Sequence, residues 1–203
     1  MNLICFGDSI CAGYGARPGT GWVAQLDVLA RALPQPIHVS NAGVSGDTTA
    51  DGLRRMARDV EQHHPDAVYI QFGLNDCSFI CRQPDKPWTA LKPYMHNMEE
   101  MIQRAFHAGA RTVFVATNHP VAPDPLGCGT DQYLQNVLAY NEALRRTFAT
   151  RRGLVFIDLE KRIRAECAHP ERLLLADGVH LSPAGNDLYC TINSNLMLGN
   201  LER

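Results

Sequence analysis

Short apolar runs alternate with longer amphipathic stretches along most of the chain. Five of the apolar runs are nearly continuous, which is typical of parallel strands covered on both faces. The predicted strands are residues 3–7, 37–43, 67–73, 111–118 and 154–159. The first of them, "LICFG", is predicted to be the central strand of the sheet.

The stretches between these runs have the spacing of amphipathic helices, and the last of them starts with Ser182 as N-cap and Pro183 in the first helical position. The predicted helices are residues 22–33, 49–64, 90–109, 132–153 and 182–197. This alternation predicts an α/β protein with an open, mostly parallel sheet of five strands and helices on both faces. At 203 residues the chain is expected to form a single domain, 1–203.

Polar residues follow most of the predicted strands, at the edge of the sheet where parallel α/β proteins bind their ligands. Ser9 follows the first strand, Gly46 follows the second, and Asn75 follows the third. Asp177 and His180 lie three residues apart beyond the fifth strand, so one turn can bring the carboxylate to the imidazole ring. Taken singly, these residues are equally well explained as helix caps, turn residues or a satisfied surface histidine.

Together, these residues supply what a nucleophilic serine needs. A serine nucleophile requires a base, the base requires an orienting acid, and the oxyanion requires preorganised donors. Ser9, His180 and Asp177 fill the first three roles. The backbone N–H groups of Ser9 and Gly46 and the side-chain amide of Asn75 fill the last. We therefore predict one catalytic site built from these five residues.

Four sequence blocks carry a family resemblance: "FGDSI", "NAGVSGDTT", "FGLND" and "DGVHLSP", in this order between residue 4 and about residue 190. They resemble the SGNH hydrolase superfamily, also called the GDSL esterases and lipases, and their wording is most similar to the bacterial thioesterase/lysophospholipase branch. The resemblance implies a three-layer α/β/α sandwich of the flavodoxin-like type and an acyl hydrolase. It also implies that Ser9 is the nucleophile, His180 the base and Asp177 the acid. Ser9, Gly46 and Asn75 would then form the oxyanion hole, and neither a cofactor nor a metal is expected.

The substrate has to be predicted from the loops at 77–88 and 118–131, which match no substrate-specific pattern. Both loops are rich in proline, which stiffens a loop and argues against a wide lipid groove. We therefore expect a carboxylester hydrolase for short acyl groups, acetyl to butyryl, with Phe79 and Leu126 among the substrate contacts. The alternative for these two side chains is simple packing beneath their loops. The alternative for the function is a lysophospholipase or long-chain thioesterase with the same triad.

Composition limits the partners. The chain is 45% hydrophobic and 20% charged with a net charge of −2, which fits a globular protein and gives no reason to expect nucleic acid as a partner. No apolar run reaches the roughly 18 residues of a membrane span, and the N-terminus lacks the pattern of a secretory signal. A cytoplasmic protein is therefore predicted, and its oligomeric state is left open.

Seven cysteines without paired CxxC units are expected to be free thiols, although Cys77 and Cys81 are close enough along the chain for a local disulfide. Two rivals to the hydrolase remain: a non-catalytic flavodoxin-like binding module, and a metal enzyme built on Cys77, Cys81 and a histidine such as His119. His119 is also a candidate for lining the cleft. A nucleophile at Ser45 is not expected, because "GVSGD" lacks the last glycine of G-x-S-x-G.

Overall fold

The five apolar runs form the strands of one parallel sheet. In the computed structural model, which describes residues 1–201, the strands are β1 (Asn2–Gly7), β2 (His38–Gly43), β3 (Ala67–Gln71), β4 (Thr112–Ala116) and β5 (Leu154–Ile157). All four pairings between neighbours are parallel, in the order β2-β1-β3-β4-β5. The predicted sheet is confirmed, with each strand end within about two residues of its predicted position.

The prediction that β1 is the central strand is wrong, because β3 occupies the middle of the sheet. β1 lies between β2 and β3, with Leu3 opposite both Val39 and Ala67. All its residues after Asn2 are buried. An apolar run shows that a strand has neighbours and is covered on both faces, but not how many strands lie beyond each neighbour. The edge strand β2 is more exposed.

Seven helices connect and cover the strands in the described part of the chain. They are α1 (Ser9–Ala12), α2 (Trp22–Arg31), α3 (Thr49–Asp59), α4 (Leu91–His107), α5 (Gln132–Phe148), α6 (Leu159–Glu166) and α7 (Pro183–Leu201). The predicted helix 49–64 ends early, at Asp59, and a short 3₁₀ turn leads from there to His64 with φ 44°. Pro65 follows, and a proline disfavours helical backbone in the residue before it.

Strand order distributes the helices over the two faces. The chain moves from β1 outward to β2 and then back across β1 to β3, and right-handed crossovers in opposite directions place their helices on opposite faces. Accordingly, α2 packs on β2 and α7, whereas α3 packs on α4. The fold is a three-layer α/β/α sandwich with flavodoxin-like strand order.

The reversal between β1 and β3 creates the crevice in which this fold carries its ligands. Ser9 follows β1 and Asn75 follows β3, so both residues stand at this point. The segment 174–182 closes the opposite side of the crevice. An antiparallel bridge between Leu174 and Leu181 brings the two ends of this segment together, so Asp177 and His180 lie in one compact loop.

Candidate active site

Ser9, His180 and Asp177 form a continuous chain of hydrogen bonds. Ser9 Oγ lies 2.9 Å from His180 Nε2, and His180 Nδ1 lies 2.7 Å from Asp177 Oδ2. Because a carboxylate only accepts, Nδ1 carries the hydrogen, and Nε2 accepts from the serine hydroxyl. The structure thus brings the three residues together over 171 positions of sequence, in the order that activates a serine.

Small residues let the backbone of Ser9 approach its neighbours closely. Gly7 ends β1, and a Cβ placed there would stand 2.6 Å from the backbone oxygen of Gln71 on β3. Ser9 then starts α1, where a backbone N–H has no acceptor within the helix. The close approach of β1 and β3 is therefore a direct steric reason for the small residue that ends the apolar strand before the serine.

The Asp177 carboxylate is kept ionised. Burial alone raises the pKa of a carboxyl group, but the backbone N–H groups of Val179 and His180 both donate to Oδ1 at 2.9 Å, and the imidazole binds Oδ2. These bonds outweigh burial and lower the pKa of Asp177 below its ordinary value. The carboxylate can therefore orient the imidazole and stabilise its protonated form.

The candidate oxyanion donors Gly46 and Asn75 lie in the loops that follow β2 and β3. Gly46 has φ 87°, a region that disfavours side chains, and open space where a Cβ would stand. Asn75 donates one amide hydrogen to the backbone oxygen of Asp47 at 2.9 Å, which orients the amide and leaves its second hydrogen. The next residue, Asp76, is buried and accepts from the Thr49 backbone and hydroxyl.

Arg55 supports this region, and sequence reasoning missed it. Its guanidinium donates to the backbone oxygens of Gly7 at 2.7 Å and Ala42 at 2.8 Å, and to the Asp47 carboxylate at 2.5 Å. The side chain is only 9% exposed. Its position three residues after the buried Gly52 was the available signal, because that spacing places both on one helix face.

Tyr14 is a second residue that sequence reasoning missed. Its ring lies against the His180 imidazole with centroids 4.2 Å apart and planes inclined by 36°. The tyrosine is half exposed, so it covers the solvent side of the imidazole. No sequence signal distinguishes it from an ordinary loop tyrosine.

Asp8 and His119 are both buried beside the site. Asp8 caps α1 by accepting from the Ile10 N–H, as expected for a structural residue, and burial raises its pKa to about 7. His119 does not face an open cleft, since it is 1% exposed and its ring nitrogens contact the Tyr189 hydroxyl and the Val179 backbone oxygen.

The predicted substrate contacts are less open than expected. Phe79 is 6% exposed and belongs to the core, and Leu126 is partly buried and packed against that core. Ile80 and Trp88 in the same loop are exposed. A substrate role for Phe79 and Leu126 stays a prediction.

The cysteine prediction needs correction. Cys81 is not free and does not pair with Cys77; it forms a disulfide with Cys128, 47 residues away. Cys77 is buried and unbonded. The bond joins the loop after β3 to the loop after β4, a pairing that sequence spacing could not indicate because it depends on how both loops fold.

Two further observations concern metals and membranes. Within residues 1–201, no group of three or more histidine, cysteine or acidic side chains is arranged to hold a metal ion. Of the residues in the metal-enzyme alternative, Cys81 is bonded to Cys128, Cys77 is a buried free thiol, and His119 contacts Tyr189 and Val179. No helix among these residues has the length and apolar character needed to cross a membrane.

The chain is similar to known proteins over most of its length. The model of the GDSL-like lipase/acylhydrolase family matches residues 5–188. An arylesterase of Vibrio mimicus is 33% identical over 119 residues, which are 59% of this chain and 56% of that protein. An acetylxylan esterase of Geobacillus stearothermophilus is 39% identical over 98 residues, 43% of each. The matches thus span about half the length of these relatives.

The solved structures extend this similarity to the whole described fold. The crystal structure of the lipase/acylhydrolase from Enterococcus faecalis has a TM-score of 0.78 to this chain at 27% identity. The superposition covers 98% of this chain and 96% of that one.

Proposed function

Because the chain belongs to the GDSL-like lipase/acylhydrolase family, as its four sequence blocks suggested, we propose that it is a serine carboxylester hydrolase acting through an acyl-enzyme at Ser9. The observation that carries the proposal is the hydrogen-bond chain from Ser9 Oγ through His180 to Asp177. A non-catalytic binding module would have no use for this arrangement.

The geometry supports the following mechanism. Ser9 Oγ attacks the ester carbonyl carbon while its proton passes to His180 Nε2, and the Asp177 carboxylate stabilises the imidazolium that forms. The N–H groups of Ser9 and Gly46 and the Asn75 amide donate to the oxyanion. Collapse breaks the bond to the alkoxide, which takes the proton from Nε2 and leaves as the alcohol. Water then attacks the acyl carbon while His180 Nε2 takes its proton, the bond from the acyl carbon to Ser9 Oγ breaks, and Oγ recovers the proton from Nε2 as the carboxylic acid leaves.

We further propose that the acyl groups are short, acetyl to butyryl. The loops at 77–88 and 118–131 are proline-rich and are tied together by the Cys81–Cys128 disulfide. Phe79 lies in the core and Leu126 packs against it, so neither side chain extends freely into a long acyl groove. The name of the acetylxylan esterase relative is consistent with a two-carbon acyl group.

A fluorophosphonate probe tests the chemistry. The wild-type protein should be labelled at Ser9, and Ser9→Ala should neither take the label nor hydrolyse p-nitrophenyl acetate. The matched control is Ser45→Ala, an exposed serine in a neighbouring loop, which should keep both properties. Labelling at Ser45, or at neither serine, would refute the proposed nucleophile.

Chain-length preference is tested separately with p-nitrophenyl esters from acetate to decanoate. We expect kcat/KM to be highest for acetate to butyrate and to fall beyond. A steady rise up to the longest chains, lost in Ser9→Ala, would replace the short-chain proposal by the alternative of a lysophospholipase or long-chain thioesterase with the same triad.

A further inference from the structure

A line of buried hydrogen bonds runs from the middle of the sheet to the loop that carries His180. Gln71, at the end of β3, donates to the Tyr189 hydroxyl at 3.0 Å. Tyr189 Oη lies 2.8 Å from His119 Nδ1, and His119 Nε2 lies 2.7 Å from the backbone oxygen of Val179. The three side chains are each at most 1% exposed, and none of them takes part in the mechanism above.

The partners fix the direction of every bond in this line. The Val179 oxygen can only accept, so His119 Nε2 carries a hydrogen. Burial lowers the pKa of His119 to about 4, which keeps the ring neutral and makes Nδ1 an acceptor. The Tyr189 hydroxyl accepts from Gln71 and therefore donates to Nδ1. His119 is thus held as one tautomer with a single donor aimed at the loop.

The Val179 carbonyl, which accepts from His119 Nε2, directly precedes the proposed base His180 in the chain. The Val179 carbonyl and the His180 N–H belong to one planar peptide unit. The oxygen is held by His119, and the N–H donates to Asp177 Oδ1 at 2.9 Å. This peptide unit is therefore held on both sides, and it leads directly to the Cα of His180. Its orientation determines where the imidazole points relative to Ser9.

We propose that His119 is a positioning residue, which holds the Val179 carbonyl and thereby keeps the His180 imidazole aligned with Ser9 Oγ. The inference rests on the proposed function, because it gives His119 a part in the same reaction. It goes beyond it by assigning a role to a buried histidine outside the triad and the oxyanion hole. The competing interpretation is a purely structural hydrogen bond, whose loss lowers stability alone.

Two substitutions at His119 separate these interpretations. His119→Phe keeps an aromatic ring but removes the donor, whereas His119→Gln keeps an N–H that can reach the carbonyl. With p-nitrophenyl acetate, kcat of His119→Phe should fall roughly 10- to 100-fold with KM nearly unchanged, the loss expected when a reacting group is slightly misplaced. His119→Gln should recover most of the rate. Val113→Ala, a core truncation on β4, the strand that precedes His119, is the control, which should lower Tm without changing kcat.

A spectroscopic measurement tests the positioning without any substrate. The hydrogen between His180 Nδ1 and Asp177 Oδ2 should give a downfield proton NMR signal in the wild type. The signal should shift or broaden in His119→Phe and return in His119→Gln. Tyr189→Phe removes the bonds of the hydroxyl to His119 Nδ1 and to Gln71 but leaves the His119 donor to Val179 in place. It should give a smaller change, and it serves if His119→Phe does not fold.

Two outcomes would overturn the proposal. One is wild-type kcat and an unchanged downfield signal in His119→Phe. The other is a folded His119→Gln variant as impaired as His119→Phe. A wild-type protein that takes no fluorophosphonate label and hydrolyses no ester would instead refute the proposed function, and the NMR comparison would still decide the role of His119.

Discussion

Removal of the Cys81–Cys128 disulfide should cost the protein much of its stability. A disulfide restricts the unfolded chain, and the loss of entropy grows with the length of the loop that it closes. For the 47-residue separation observed here, the loop-entropy relation gives about 4 kcal/mol at 25 °C. That is a large share of the roughly 5–15 kcal/mol that stabilises a typical domain.

Urea unfolding of the oxidised protein, with and without reductant, measures this contribution. Cys81→Ser and Cys128→Ser should each lower the free energy of unfolding by about 4 kcal/mol, and the double variant should lose no more, because either change removes the same bond. Reductant should then have no further effect on them. Cys167→Ser is the matched control, since Cys167 is partly buried and unbonded.

Thiol titration of the denatured protein checks the premise. The oxidised chain should show five free thiols, from Cys5, Cys11, Cys77, Cys167 and Cys190, and seven after reduction. Seven thiols without reductant in a protein purified under oxidising conditions, or equal unfolding free energies with and without reductant, would refute the reasoning. Because the bond ties the two candidate substrate loops together, its removal should also raise kcat/KM for octanoate relative to acetate esters.

Three further predictions concern the site. Ser9→Ala and His180→Ala should each lower kcat for p-nitrophenyl acetate by at least about a thousandfold while leaving Tm nearly unchanged, because the triad acts as a unit; more than a few per cent residual activity would contradict it. Asn75→Ala should lose roughly 2.7–4 kcal/mol of transition-state stabilisation, seen as a lower kcat at similar KM, and an effect on KM alone would make Asn75 a substrate-binding residue. The pKa of His119 is lowered to about 4 in the folded protein, below its ordinary value of about 6.5. As the pH falls, the unfolded chain therefore binds a proton at this histidine before the folded protein does. The free energy of unfolding should decrease by about 3 kcal/mol between about pH 6.5 and pH 4. The free energy of unfolding of the wild type and of His119→Gln should be measured at both ends of this range, and the difference between the two proteins should become smaller in acid. A constant difference would contradict the low pKa of His119. Asp8 is present in both proteins, so its own titration cancels in the difference.

The strands and the meeting of Ser9, His180 and Asp177 could be predicted because both depend on short-range signals. A run such as "LICFG" must be buried on both faces wherever its strand lies in the sheet, so β1 could be located without knowledge of its neighbours. Ser9 and Asn75 follow strands directly, and parallel topology brings such positions to one edge. The same reasoning could not decide strand order, and β1 was wrongly placed at the centre.

The partner of Cys81 illustrates a different limit. Spacing suggested Cys77, four residues away, but Cys77 is buried beneath the loop while Cys81 is exposed and meets Cys128. Neither loop contains periodic structure, and a cysteine pairing across two irregular loops depends on their tertiary course. Arg55 shows the opposite case, because helical spacing places it on the same face of α3 as Gly52 and so carried a signal for its burial.

Three donors around the candidate site share a physical role. Backbone carbonyls at the ends of strands and in loops lie outside the regular hydrogen-bond ladders, and side chains can donate to them. In three site loops, a largely buried side chain donates to a carbonyl one or two residues before Ser9, Asn75 or His180. These contacts are Arg55 to Gly7, Tyr133 to Leu74 and His119 to Val179. The donors are 48 to 60 residues from their acceptors, on other elements of the fold. A pattern of reactive side chains along the sequence can suggest the groups that do the chemistry, but the buried donors that hold the backbone beside them are identified by following the carbonyls of the folded chain.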